Sequence, residues 1–186
     1  MYAAFVPSMA VSPRRGFTLI EILAVVVILG IASVLVIPNL GTRNDQYVAA
    51  ASRVVMADLM YAQSQAIVTQ NLVYVNFNTG AQQYSLTTTA PNVTPVVYVT
   101  NPMTNSNYTT VFSSSTVPQL QLDSFNAPSF GGTACLAFDE LGQPYSVNVS
   151  SGAATLLSAN GTVPLVCGSN TITVNVEPYS GALSAQ

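Results

Sequence analysis

The chain contains no His, no Lys and no Trp, and only two Cys among its 186 residues. Without imidazole there is no histidine base and no histidine metal ligand. No Gly-rich phosphate loop, nucleophile elbow or zinc-ligand spacing is present, so a non-enzymatic protein without cofactor or metal is expected. Charge is equally scarce: four basic residues stand against seven acidic ones, for a net charge of -3. Hydrophobic residues, at 49%, exclude a disordered chain, which combines low hydrophobicity with high charge. All four cations, Arg14, Arg15, Arg43 and Arg53, lie in the first 53 positions. Nucleic-acid affinity comes largely from Lys and Arg displacing counterions, so no nucleic-acid partner is expected.

What the chain does have is a long apolar run. Residues 17 to 37, Phe-Thr-Leu-Ile-Glu-Ile-Leu-Ala-Val-Val-Val-Ile-Leu-Gly-Ile-Ala-Ser-Val-Leu-Val-Ile, carry a single charge, Glu21, and Pro38 follows. A helix of this length spans ~31 Å, the thickness of a bilayer's hydrocarbon core. Arg14 and Arg15 immediately precede it, so the positive-inside rule places residues 1–16 in the cytoplasm and the remainder outside. A secretory signal peptide is the plain alternative, but its apolar region is usually ~7 to 15 residues and Glu21 sits badly inside one. Ser12-Pro13-Arg14-Arg15-Gly16-Phe17 also loosely resembles a twin-arginine export signal, with a weak small-x-small site at Gly30-Ile31-Ala32.

Glu21 separates these readings. A carboxylate in a membrane helix costs at least ~2.5 to 3.5 kcal/mol and usually has a partner. The run itself offers no cation. A cut between Gly16 and Phe17 would create one, the amino group of Phe17. It could pair with Glu21 of the same helix, or better with Glu21 of a neighbouring subunit, so that bundled helices cancel buried charge only in the right axial register.

Arg14-Arg15-Gly16-Phe17-Thr18-Leu19-Ile20-Glu21 resembles the class III signal of type IV pilins and type II secretion pseudopilins. That signal has a basic leader, Gly before the cut, Phe as the new first residue and Glu four residues further on. Pro38 falls where these proteins commonly carry a helix-kinking Pro. The resemblance implies that a prepilin peptidase cleaves between Gly16 and Phe17 and methylates the Phe17 amine, and that Glu21 sets assembly register. It implies as partners other pilins or pseudopilins in a helical filament, an assembly platform and its ATPase, and inner-membrane lipid. The implied location is the bacterial inner membrane, single-pass, N-in and C-out, with the C-terminal domain in the periplasm or on an extracellular filament. Met9 is an alternative start that would give a shorter leader.

After Asn39-Leu40-Gly41, Asn44 or Asp45 can cap a resumed helix. Val48, Ala51, Val55, Leu59, Ala62 and Ala66 recur at spacings of three or four, predicting an amphipathic helix packed on its own domain. The stretch Ala57-Asp58-Leu59-Met60-Tyr61-Ala62-Gln63-Ser64-Gln65-Ala66-Ile67 is similar to minor pseudopilins of the protein H or FimT type, with Gln63 and Gln65 in place of their usual Arg and Glu. A DNA-capturing member would be expected to display cations on its β-domain, and none follows Arg53. The expected fold is α+β and pilin-like: a long N-terminal helix packed on a C-terminal antiparallel, sandwich-like β-domain. Its parts are a leader at 1–16, a transmembrane and polymerisation helix at 17–37, an amphipathic continuation at 38–71 and a β-domain at 72–186.

Within the β-domain the apolar period becomes two. Strands are predicted at Leu72–Phe77, Gln83–Thr87, Val96–Thr100, Tyr108–Phe112, Leu120–Leu122, Cys135–Phe138, Tyr145–Val149, Val163–Cys167 and Thr171–Val176. Asn78-Thr79-Gly80 makes a hairpin and Asp139-Glu140-Leu141-Gly142 a turn. Residues 87–116, rich in Thr, Ser, Asn and Pro, are a candidate contact surface or a set of polar edge strands, and residues 101–116 are expected to be dispensable for folding. Cys135 and Cys167 enclose about 33 residues; on the exported side they can form a disulfide that would stabilise the domain by roughly 3 to 4 kcal/mol, the alternative being two buried thiols. Asp123, Asp139 and Glu140 are too few for a calcium site. The Asn-x-Ser/Thr triplets at Asn92, Asn107, Asn148 and Asn160 are read as chance in an Asn/Thr-rich chain.

Overall fold

Residues 16–36, 44–112, 124–125 and 127–186 are described by the computed structural model. They fall into two units, Met1–Thr42 and Arg43–Gln186. In the first, the described element is helix α1, Leu19–Val36. The expected kink residue Pro38, the leader Arg14 and Arg15, and the predicted strand 120–122 lie outside the described residues.

The second unit opens with helix α2, Asn44–Thr69. Every residue of the expected stripe, from Val48 through Ala66, is buried, and Ser52 and Asp58 join it. Gln70 ends the helix with a φ of 54°. Its side-chain amide donates to the Ile67 carbonyl at 2.8 Å, and that of Asn71 to Thr69 at 2.7 Å, satisfying carbonyls that the helix end leaves open.

Among the described residues ten strands follow: β1 Val73–Asn78, β2 Gln83–Thr87, β3 Thr109–Val111, β4 Ser124–Phe125, β5 Cys135–Phe138, β6 Pro144–Val147, β7 Ala154–Leu156, β8 Gly161–Cys167, β9 Asn170–Val176 and β10 Leu183–Ala185. They form two antiparallel sheets, one ordered β3-β2-β1-β5-β6-β7 and one ordered β10-β9-β8-β4. The expected α+β class therefore holds, with α2 packed on strands of both sheets. Its apolar stripe meets Val75, Phe77 and Phe138 from the first sheet and Val163, Leu165, Val174 and Val176 from the second in a single core. Burying each such side chain is worth roughly 1.5 to 3 kcal/mol, so this seam is the main source of the domain's stability.

All four residues of β5 are buried. Alternation along a strand explains this only if both faces are covered. Leu136 and Phe138 join the core under α2, while Cys135 and Ala137 join Tyr74 and Val147 in a smaller cluster. Ala90, from the segment after β2, packs on that smaller cluster. Asn92 ties the same segment down by donating to the Ser151 carbonyl at 3.0 Å.

Residues 96–100 were expected as a strand, but they make only isolated pairings, Thr87 with Tyr98 and Thr100 with Asn107. The Val97 amide donates to the Thr89 hydroxyl at 3.0 Å instead of to a neighbouring strand, which interrupts the ladder. Residues 101–116 are also not a dispensable loop as a whole. The described part of this range contains β3, and Phe112 beside it is fully buried.

Candidate functional site

Helix α1 begins with a cap. Thr18 stands just before it, and its hydroxyl accepts from the Glu21 amide at 3.3 Å while its carbonyl accepts from Ile22 at 3.3 Å. Thr18 and Glu21 therefore occupy the outer positions of a Thr-x-x-Glu capping box, with the carboxylate in the first turn, where the helix dipole favours negative charge. Sequence reasoning on Glu21 as a lone charge missed this, although the spacing was readable. Gly16 and Phe17 precede the helix and are exposed, Phe17 to 77%. From Leu19 to Ile31 the large apolar side chains are exposed on every side of the helix. Such a surface is not stable in water and requires lipid or other apolar helices around it.

Among the described residues no helix is long and apolar enough to cross a membrane. Helix α1, with 18 residues, rises ~27 Å. Residue 37, the last of the expected span, lies outside the described range.

Residues 11–37 match the family model described as the prokaryotic N-terminal methylation motif. The motif indicates a type IV pilin-like subunit. No curated protein and no solved structure matches the chain. The match takes in Arg14 and Arg15, the Gly16-Phe17 junction, Glu21 and the whole of α1. For a pilin-like subunit it implies processing by prepilin peptidase and assembly with other pilins, and it suggests anchorage in the cell envelope.

In the second unit, Gln63 has a structural task. Its side-chain amide donates to the Gly142 carbonyl at 2.8 Å and to the Ser180 carbonyl at 3.3 Å. One neutral side chain on α2 thus fastens both the β5–β6 turn and the β9–β10 turn. In the β5–β6 turn Asp139 Oδ1 accepts from the amides of Leu141 and Gln143, at 3.0 and 2.7 Å. Asp139 is therefore engaged in holding its own turn.

A buried carboxylate was not anticipated. Asp58 lies on the core face of α2 and accepts hydrogen bonds from Tyr84 Oη, Tyr108 Oη at 2.8 Å and Thr110 Oγ1 at 2.7 Å. Three hydroxyls from the β2–β3 region thereby solvate one charge in place of water. Burial raises the Tyr84 pKa well above its ordinary value, helped by the neighbouring Asp58 charge. Tyr108 is raised as well, by burial first and then by its bond to Asp58, and its ring stacks on Tyr61 of α2 at 5.1 Å. The signal available in sequence was an Asp at a position of the apolar stripe, which is a costly placement unless hydroxyls converge on it.

The expected disulfide is not formed: Cys135 and Cys167 remain two separate buried cysteines. They lie in different sheets and different clusters, Cys135 in the smaller one and Cys167 in the main core. The Cys135 thiol donates to Asn76 Oδ1 at 3.0 Å, and burial pushes its pKa up to about 12.

Proposed function

We propose that this chain is a structural, non-catalytic subunit of a pilin-type filament, working without cofactor or metal. It enters the bacterial inner membrane as a single-pass precursor through residues 17–37, with its N-terminus inside and its β-domain outside. Prepilin peptidase cuts between Gly16 and Phe17 and methylates the new amine. The helix then leaves the bilayer for the core of a filament, where Glu21 finds the Phe17 amine of a neighbour. The observation that carries this reading is the placement of Glu21: one carboxylate, in the first turn of an otherwise apolar, uncovered helix, immediately after the Gly-Phe junction of the methylation motif. Assembly would use a membrane platform and its ATPase.

The segment 57–67 favours a minor pseudopilin of the protein H or FimT type within a type II secretion pseudopilus. A minor type IV pilus subunit is the second reading, since both systems use the same N-terminal motif. No cation follows Arg53, which supports neither DNA capture nor any other nucleic-acid partner.

Mass spectrometry of the protein from its native cell tests the reading. A mature chain beginning with N-methylated Phe17 is expected, and an intact leader on filament-incorporated protein overturns it. Glu21→Ala is expected to remain membrane-inserted and to be lost from filaments; normal incorporation removes the charge-pairing role. Deleting the gene separates the two systems, by loss of exported proteins from the medium in one case and loss of surface pili in the other.

A further inference from the structure

The connection between β2 and β3 has an open edge. Val97 and Val99 turn their backbone groups inward: the Val97 carbonyl accepts from Thr88, the Val99 amide donates to Leu86, and the Val99 carbonyl accepts from Tyr108, each at 2.9 Å. Backbone groups alternate sides along an extended chain, so those of Tyr98 and Thr100 point the other way. Their two amides and two carbonyls have no hydrogen-bond partner among the described residues, and both residues are exposed. Pro95 and Pro102, with no amide to donate, bracket this open stretch.

The edge has a wall beside it. Together with α2 it bounds a groove of about 490 Å³. Tyr61, Gln65 and Thr69, one residue per turn of α2, line one side over ~12 Å. The successive residues Val97 to Thr100 line the other, over ~10 Å of extended chain. Side chains of such a segment alternate between its two faces, so a groove touched by four residues in a row runs along the edge rather than over one face. None of the lining residues is charged. Gln65 is half-buried there, and its side-chain amide makes no hydrogen bond among the described residues. The terminal strands of the two sheets, β3, β7, β10 and β4, have only two or three residues each, which is a usual way of making an edge harmless. The 97–100 edge differs because a helix turns it into a slot.

We propose that this slot binds an extended, uncharged segment of a partner protein, which adds as a strand to the 97–100 edge. One partner residue exchanges two hydrogen bonds with Tyr98, and a second, two positions along, exchanges two with Thr100. The donors and acceptors come as amide and carbonyl pairs repeating every two residues, ~7 Å, which is the repeat of another backbone and not of a sugar chain. Main-chain bonds supply the affinity, and every second partner side chain points toward α2, where the groove takes apolar or neutral polar groups and Gln65 meets one of the latter. The slot lies wholly in the second unit and is independent of how the N-terminal segment is processed.

The test pans a displayed library of random linear peptides on immobilised full-length chain in detergent, with detergent-coated support as the blank. Enrichment of uncharged sequences is expected. Failure to enrich any sequence over the blank, or enrichment of charged ones, overturns the proposal. The leading peptide is then synthesised with a fluorescent label and its affinity read by polarisation. Thr100→Pro, which removes an amide that bonds nothing in the domain, is expected to weaken binding about tenfold, as is methylation of alternate peptide amides. Gln65→Lys, which places a charge in the groove, is expected to weaken it as well. In the wild-type complex the Tyr98 and Thr100 amides should exchange with deuterium about tenfold more slowly than in the free chain. Binding that leaves those two amides unprotected overturns the proposal whatever Thr100→Pro does to folding, and so does full affinity in a Thr100→Pro chain of unchanged circular dichroism.

Discussion

Tyr84 Oη donates a hydrogen bond to Asp58 Oδ2 at 2.5 Å, in the core between α2 and β2. With Tyr108 and Thr110 on the same carboxylate, one side chain of the helix holds β2, β3 and the residue before β3. Removing the acceptor leaves three hydroxyls without it, one of them on a fully buried Tyr. Asp58→Ala is therefore expected to destabilise the domain by roughly 2 to 4 kcal/mol, and Tyr84→Phe by about 1 kcal/mol. Urea unfolding of the full chain in detergent, followed by circular dichroism, measures both. Equal midpoints for wild type and Asp58→Ala would show that the cluster contributes nothing net.

Alkaline pH tests the same cluster from the other side. Tyr84 and Tyr108 have folded-state pKa values raised above the ordinary 10.0. Their contribution is fully present below that ordinary value, where both states keep the proton. It is lost as pH climbs above it, because the unfolded chain releases protons that the folded chain retains. Stability is expected to decline from about pH 10 upward, with a shallower slope in Tyr84→Phe. Tyrosinate absorbance of the folded protein should show these two groups titrating later than the exposed tyrosines, and simultaneous titration of all of them would refute the assignment.

How far the fold was legible depended on whether one segment alone carried the signal. The stripe from Val48 to Ala66 and strands such as β2 and β5 were readable, because apolar spacing reports burial directly. Strands β7 and β10, Ala-Thr-Leu and Leu-Ser-Ala, were not, because such short, small and polar residues become strands only through an already formed neighbour. The N-terminal apolar segment was visible because one charge in an apolar run requires an explanation wherever the chain folds. The Asp58 cluster was hidden because its donors are 26, 50 and 52 residues away. The cysteine pairing failed for a related reason: sequence separation says nothing about which face of which sheet a side chain joins.

Both cysteines are buried, and a thiol pKa near 12 leaves Cys135 almost entirely protonated at neutral pH. Thiolate is the reactive form, so the folded full-length protein is expected to resist iodoacetamide at about pH 8. Denaturation without reductant should then give two adducts by mass. Adducts that form only after reduction would establish the disulfide that the structure lacks.

The segment between Thr100 and Asn107 separates the dispensable part of the long connection from the part that holds the fold. Those two residues pair across the turn, and Asn101 closes it by donating its amide to Ser106 at 2.8 Å. Met103 at its tip is 93% exposed. Replacing residues 102–106 with Asn-Gly removes only exposed side chains and supplies a tight hairpin, so the unfolding midpoint should move by no more than about 0.5 kcal/mol. Extending the deletion through residue 112 takes away Tyr108, Thr110 and Phe112, hence two donors to Asp58 and a fully buried ring. Loss of a buried Phe alone costs about 3 to 5 kcal/mol, so the longer deletion is expected to abolish cooperative unfolding. Unfolding of the short variant would mean that the tip itself is structural, and any partner-binding role for residues 101–106 would then have to be tested by point substitution instead.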